Sequence, residues 1–297
     1  MNLKSKILKR FRYYTTEQYP NLFRPSRHPY ISGDTFRNFS DHIFDEARTL
    51  DPKRVQKDDV VFLKTDLIDI YFNFYHKEIK NRYILITHNS DFTIGPQEFK
   101  YYDEKIKHWF TINLNLPNSK LISSIPIGIE NRRFLSHGRI QNFKKYSKMT
   151  NKNKINENII FCSFNTHTNV ELRKPLLEQV SKSNNFIIQN FTDQKSYLNS
   201  LQKYHFNLCP EGNGIDTHRV WESLALGVTP ICKKNFTNLN FFELGVPMYL
   251  IKDWQNIYNI DIEKYKILNQ NKTIFEISKY AKSYFWLNKI KKLKDKN

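Results

Sequence analysis

Short apolar runs alternate along the chain with stretches whose apolar positions recur at helical spacing. "DVVFLKT" (59–65), "RYILITH" (82–88) and "KLISSIPIGIE" (120–130) read as buried strands, the last running into a Pro-Ile-Gly turn. "DTFRNFSDHIFDEA" (34–47) sets Phe36, Phe39, Ile43, Phe44 and Ala47 at helical spacing behind Asp34 as N-cap. "DLIDIYFNFYHKEI" (66–79) reads as an amphipathic helix, and the short "IKHWFTINL" also reads as helical. Strand, helix, strand with fully apolar strands is the grammar of a parallel α/β sheet.

The pattern then lapses. "GRIQNFKKYSKMTNKNKINEN" (138–158) is polar and basic and reads as a linker between domains. Beyond it the grammar restarts. Strands are expected at 159–165, 186–191, 205–210, 228–234 and 246–254, with helices at 169–182 and 194–204 and one long helix over 272–294. The expectation is an α/β protein of two Rossmann-like domains facing across a cleft, 1–137 and 158–272, joined by the linker 138–157 and closed by a helix and basic tail, 273–297. Ligands of such sheets bind beyond the carboxyl ends of the strands.

Composition narrows the class. With 297 residues, 39% hydrophobic and 15% aromatic, the chain can fill a packed core, so a disordered class is excluded. The three cysteines, Cys162, Cys209 and Cys232, each sit in an apolar run and form no C-x-x-C. They read as small buried hydrophobes in a reducing, cytoplasmic compartment, with no disulfide framework or zinc site. No apolar stretch is long enough to span a membrane. The net charge of +18 favours acidic partners, although AT-rich coding accounts equally for the lysines. The basic residues form no stripe with interleaved exposed aromatics, so the rival reading as a nucleic-acid-binding protein ranks low. Lysine-rich segments at both ends, 1–14 and 288–297, suit docking on an anionic inner membrane face.

The chemistry concentrates in "NLCPEGNGIDTHRVWESLALGVTPIC", Asn207 to Cys232. Pro210 stops a strand, Gly212 and Gly214 let the backbone turn and present N–H groups, and Asp216 or Thr217 can cap the helix that follows. His218 and Arg219 fall in its first turn, where free N–H groups and the helix dipole suit phosphate. Arg219 adds a fork for two phosphate oxygens. Glu222, one turn on, can take two hydrogen bonds from a ribose diol. The stretch is neither G-x-G-x-x-G nor a P-loop, so a nicotinamide cofactor or an ATPase is not indicated.

These residues resemble the signature of exostosin-type glycosyltransferases: P-x-G-x-G, then D-x-x-R, W-E-[AS]-L and G-x-x-P-I. "HNSD" (88–91), "IPIGIEN" (125–131) and "VPMYLIKDW" (246–254) agree with it in order. The resemblance implies a GT-B enzyme with a nucleotide-diphosphate sugar as donor substrate, no cofactor, and a glycan or lipid-linked acceptor. It implies Arg219 on the diphosphate, Glu222 on the ribose, and Glu211, Asn213 and Asp216 around the donor sugar, with Arg173 as a second phosphate contact. The relatives are mostly inverting and metal-independent, and no D-x-D follows a strand; "DIE" at 261–263 is the nearest. A retaining enzyme of the same architecture remains the alternative. An inverting reaction needs a base on the N-terminal half. Asp91, after the strand "ILITH" with His88 beside it, is the first candidate and Glu130 the second. The segment "RPSRHPYISGDTFRNF" shows no donor-site role and reads as family-specific packing or acceptor shaping.

Overall fold

The computed structural model describes residues 24–132, 138–149, 158–263 and 273–295. The N-terminal basic stretch 1–14, most of the second half of the expected linker, and residues 296–297 lie outside them. Ten strands form two five-stranded sheets, and every pairing in both is parallel. The first holds β1 (His42–Phe44), β2 (Val60–Lys64), β3 (Tyr83–His88), β4 (Ile106–Thr111) and β5 (Ile122–Ser124), side by side in chain order. The second holds β6 (Ile160–Cys162), β7 (Phe186–Ile188), β8 (Phe206–Leu208), β9 (Thr229–Lys233) and β10 (Tyr249–Ile251), in the order β10-β9-β8-β6-β7. The reversal of direction that marks a doubly wound, Rossmann-type sheet is thus present in the second sheet. Among the described residues it is absent from the first, which winds one way only. That corrects the expectation of two like halves.

Among the described residues, eight α-helices of five residues or more accompany the sheets: α1 (Gly33–Phe39), α2 (Ile140–Ser147), α3 (Val170–Val180), α4 (Gln194–Leu201), α5 (His218–Ala225), α6 (Phe236–Glu243), α7 (Ile274–Ser278) and α8 (Ser283–Lys294). Between β2 and β3 the chain winds irregularly, tightening to 3-10 geometry at Thr65–Leu67 and His76–Glu78 and loosening to π geometry at Tyr71–Tyr75.

Several sequence expectations fail for identifiable reasons. "IKHWFTINL" is the strand β4, not a helix. Trp109 belongs to the core on one face of the sheet and Phe110 to the core on the other, so a two-sided strand imitated a helical pattern. The helix expected over 34–47 ends at Phe39. The Ser40 hydroxyl donates to Phe36 O at 3.0 Å, Ser40 turns extended, and Ile43 and Phe44 enter β1. Ser32, not Asp34, caps that helix. The expected linker opens with α2, whose Phe143 and Tyr146 are buried; lysines between them hid the stripe. The long C-terminal helix breaks at the extended Lys282 into α7, a 3-10 turn and α8. Helix α6 was missed because the face it buries carries Thr237, Asn238 and Asn240.

That polar face ties the two sheets together. Thr237 donates to Leu114 O at 2.9 Å, and Asn240 Nδ2 donates to Leu116 O at 2.8 Å and to Ser124 Oγ at 2.9 Å. The C-terminal segment returns to the first half, where Ile31 N donates to Ala281 O at 2.9 Å. One hydrophobic core therefore runs continuously from Val60, Ile84 and Phe110 to Phe161, Val220 and Trp221. All three cysteines are buried thiols, and burial pushes Cys162 up to about 12.

Candidate functional site

In the second sheet the chain passes from β6 to β7 on one side, then crosses to β8 on the other side of β6. Such a reversal leaves a crevice beyond the carboxyl ends of the two strands. A cavity of about 400 Å³ occupies it, within the usual range for small-molecule sites. The segments after β6 and β8 form its floor. Asp91, after β3, and Ile127 and Glu130, after β5, form the opposite wall.

Arg173, in the first turn of α3, is 2% exposed and braces the floor. Its Nε donates to Glu211 O at 2.9 Å, Nη1 to Asn165 O at 2.7 Å and to the Thr168 hydroxyl, and Nη2 to Pro210 O at 3.0 Å. A Cβ on Gly212 would stand 3.1 Å from that Nη2, so glycine lets the loop lie against the guanidinium. Burial, then the neighbouring Arg219 charge, lowers Arg173 to about 10, leaving it a cation at neutral pH. Arg219, in the first turn of α5, is anchored through Nε to Ser163 O at 2.5 Å. No described group meets either of its Nη atoms. Two guanidiniums thus line the cavity, and among the described residues no carboxylate is paired to either.

The next residues join this floor to the opposite wall. Asp216, 3% exposed, accepts from Ile127 N at 2.7 Å, and both its oxygens accept from Trp221 Nε1 at 2.9 Å. Burial raises its carboxyl to about 7, against the opposing pull of those N–H groups and of His218. His218 donates from Nδ1 to Gly128 O at 2.6 Å, which turns Nε2 toward Glu130 Oε1, 3.5 Å away. Burial works against its charge, but the Glu130 carboxylate and the Gly128 carbonyl outweigh burial and hold the imidazole above its usual range. Gly128 is required where it stands: φ is +73° and a Cβ would lie 2.3 Å from Ile31 O. Neither Asp216 nor Thr217 caps α5 through its side chain; Thr217 holds the cap position in extended conformation, with its hydroxyl buried and unpartnered.

Of the residues singled out from the sequence, Asp91, Glu130, Arg173, Gly212, Asn213, Gly214, Asp216, His218, Arg219 and Glu222 all line the cavity. Glu211 does not. Its carboxylate accepts from Trp254 Nε1 at 2.8 Å and from Asn235 Nδ2 at 3.3 Å, turned away from the cavity. Asp91 stands exposed at the rim. His88 is fully buried, accepts from Asn89 N at 2.7 Å and donates to Pro126 O at 2.9 Å. Burial lowers it to about 4, so it is a neutral brace.

Sequence reading missed Phe191, Asp193, Gln194 and Tyr197, which line the cavity from the segment after β7 and from α4. Their signal was positional: they follow the carboxyl end of a strand adjoining the reversal. Residues 24–39, expected to serve packing or acceptor shaping, form a buried polar network. Arg24 pairs with Asp34 at 2.9 Å and with Asp45 and Glu46 at 3.0 Å. Asp34 N donates to Asn131 Oδ1 at 2.8 Å, and Asn131 Nδ2 donates to Asn89 Oδ1 at 3.0 Å. This buried network fixes the wall that carries Asp91 and Glu130. Among the described residues no group of three or more His, Cys, Asp or Glu side chains is placed to hold a metal, and no helix is long and apolar enough to cross a membrane.

Fold and site together define an α/β protein with a small-molecule cavity at the reversal of its second sheet. No family model and no curated protein matches the chain. Among solved structures it is similar to the crystal structure of a GtfA/B complex, at 11% identity and a TM-score of 0.37, over 82% of this chain and 59% of that one. It is similar also to the crystal structure of TarM, at 12% identity and a TM-score of 0.38, over 81% of this chain and 52% of that one. The chain therefore spans between half and three fifths of each. Likeness at that level carries no argument about activity.

Proposed function

We propose that the protein is a glycosyltransferase that moves a sugar from a nucleoside-diphosphate sugar to a hydroxyl of a glycan or lipid-linked acceptor. The observation that carries this reading is the cation pair. Arg173, bracing the loop before α5, and Arg219, in the first turn of α5, line one cavity with no described carboxylate paired to either, and Glu222 lines the same cavity one turn further along the helix. A diphosphate neutralises the pair and accepts from the helix N–H groups, while a ribose diol meets Glu222. The exostosin-like sequence signature supports the same assignment.

The opposite wall supplies the base. Glu130 faces His218 Nε2 and lines the cavity, whereas Asp91 stands at its rim. Glu130 takes the proton of the acceptor hydroxyl, that oxygen bonds to the anomeric carbon, and the bond from that carbon to the diphosphate oxygen breaks. The anomeric centre inverts through an oxocarbenium-like transition state. The charge that develops on the departing nucleoside diphosphate is met by Arg219, Arg173 and the α5 N–H groups, preorganised in place. This reading is metal-independent. His218, held by Gly128 O, stands 3.5 Å from Glu130 Oε1 and orients it.

A panel of nucleotide sugars, assayed for nucleoside diphosphate release with and without EDTA, tests the reading. One donor should turn over in chelator, and Glu130→Gln should slow it by about 10²–10⁴-fold, the usual contribution of a general base. Failure of every donor to bind or react would overturn the assignment, and loss of turnover in EDTA with rescue by manganese would overturn its metal independence.

A further inference from the structure

A second cavity, of about 170 Å³, lies between the first sheet and α8. Phe110, Ile125, Leu244, Trp286 and Leu293 wall it, together with the half-buried Lys289. The polar side chains of the wall are already engaged. His108 donates from Nδ1 to Lys120 O at 3.0 Å, so its Nε2 accepts from the Ser123 hydroxyl at 2.9 Å. Ser124 Oγ accepts from Asn240 Nδ2 at 2.9 Å, and Trp286 Nε1 donates to Tyr280 O at 2.7 Å. What the wall offers is therefore apolar surface with one cation beside it. A cavity of that kind stays dry, and its lining lacks contacts on one side until hydrocarbon fills it. It is smaller than the usual site for a whole ligand, so it suits a short length of chain.

The surroundings are apolar and cationic as well. Leu121, 40% exposed, precedes β5, where strand alternation puts it on the sheet face of Ser123 and Ile125. Lys120, before it, is exposed. Lys289, Lys292 and Leu293 share one side of α8. Lys289 rests over the Phe285 ring, 5.3 Å from its centre. No described carboxylate pairs with Lys120, Lys289 or Lys292, although Glu243 precedes Leu244 and Asp295 ends α8. Burial, then the neighbouring Lys292 charge, lowers Lys289, as expected of a cation without a counter-charge.

We propose that this patch docks the protein on an anionic lipid bilayer: Leu121 enters the interface, the end of an acyl chain fills the cavity, and Lys120, Lys289 and Lys292 meet lipid phosphates. An apolar cavity with cations at its edge specifies an amphiphile, whereas a nucleic acid would use the lysines and leave the cavity empty. The inference stands apart from the donor site. It bears on the acceptor, because Ile125 lines this cavity and Ile127 the catalytic one, about 7 Å apart along an extended chain. Docking here holds the wall that bears Glu130 close to the surface in which a lipid-linked acceptor lies.

Co-sedimentation of the full chain with vesicles tests the proposal. Binding should appear with vesicles containing phosphatidylglycerol, be absent with phosphatidylcholine alone, and fade as salt screens the charges. Changing Lys289 and Lys292 together to glutamine should weaken it about twenty-five-fold, about fivefold for each charge. The same change at Lys174 and Lys182, exposed in and just after α3, should leave it within about twofold, since those charges lie away from the docked face. Phosphatidylglycerol brominated on its acyl chains should quench Trp286, which walls the cavity, and that quenching should vanish in Trp286→Phe. Equal binding to neutral vesicles, equal loss from both lysine pairs, or anionic binding without quenching of Trp286 would overturn the proposal. A lipid-free dimer dispersed by Leu121→Asp, with no vesicle binding, would give the patch to a second copy of the chain and overturn it too. Each of these outcomes leaves the donor site untouched.

Discussion

Replacing Arg173 with alanine should cost stability before it costs anything else. The side chain is 2% exposed and supplies donors to three backbone carbonyls, Asn165 O, Glu211 O and Pro210 O, and to the Thr168 hydroxyl. Each carbonyl left buried without a donor costs about 1–3 kcal/mol. Three such losses would be severe in a protein whose net stability is on the order of 5–15 kcal/mol. Two effects soften the loss. The adjoining cavity of about 400 Å³ admits water to the vacated site, and removing one guanidinium relieves its repulsion with Arg219. A net loss of about 2–4 kcal/mol follows. Urea unfolding followed by tryptophan fluorescence measures it, since Trp221 and Trp254 flank this region. Arg173→Lys keeps the charge but has no planar fork to span three carbonyls. It should fall between wild type and alanine in stability while retaining most of the diphosphate affinity. An alanine variant within about 0.5 kcal/mol of wild type, the ordinary scatter of surface substitutions, would refute the bracing role.

Arg219→Ala should behave in the opposite way, because one hydrogen bond anchors it among the described residues and no described group meets its two Nη atoms. Nucleoside diphosphate binding should weaken by about 1.5–3 kcal/mol with little loss of stability; unchanged affinity by calorimetry in a folded variant would discard the phosphate assignment. Stability should also decline toward alkaline pH. His218, raised when folded, stabilises fully below its ordinary value of 6.5 and loses that contribution as pH passes its folded value. Asp216 holds in the folded state a proton that the unfolded chain releases near 3.8, so its ionisation draws stability down from about pH 4 until it levels off near 7. At 1.36 kcal/mol per pH unit the Asp216 share is about 4 kcal/mol. Unfolding free energies across pH 5 to 8 should slope downward for wild type and less for Asp216→Asn, and parallel curves would contradict this.

How much of this was legible in the sequence depended on which faces were buried in what. Strands sandwiched between two apolar cores, such as β2 and β3, announced themselves as unbroken apolar runs. β4 is equally buried, but Lys107 and His108 interrupt its run; their side chains pair with Asp58 and with Lys120 O, so the polar residues were satisfied rather than solvated. Helix α6 left no apolar stripe because it docks through asparagine amides. Of the site, the glycine loop and the first turn of α5 were readable because their chemistry is local, within one strand-to-helix joint. The bracing of Arg173 and the turning away of Glu211 were not readable. Each is decided by partners brought together from distant positions, Asn165 and Pro210 for one and Trp254 for the other.

The "IPIGIEN" block shows how local chemistry becomes a site only through tertiary contact. By itself it is a strand end and a glycine turn. In the fold, its Ile127 N–H is bound by Asp216 and its Gly128 carbonyl by His218, both from the second sheet. Asn113, after β4, adds a third tie by accepting from Asp216 N at 2.8 Å, while Gly214 packs so close that a Cβ would stand 2.7 Å from the Asn113 amide. The first-turn residues of α5 therefore do two jobs. Arg219 lines the cavity, whereas its neighbours Asp216 and His218 set the distance between the wall bearing Glu130 and the floor bearing the cations. A buried carboxyl and a half-buried imidazole are costly and are kept only where their partners are fixed. Their presence at this junction explains why so much polar chemistry is needed where β8 hands over to α5: the same few residues line the cavity and tie its two walls together.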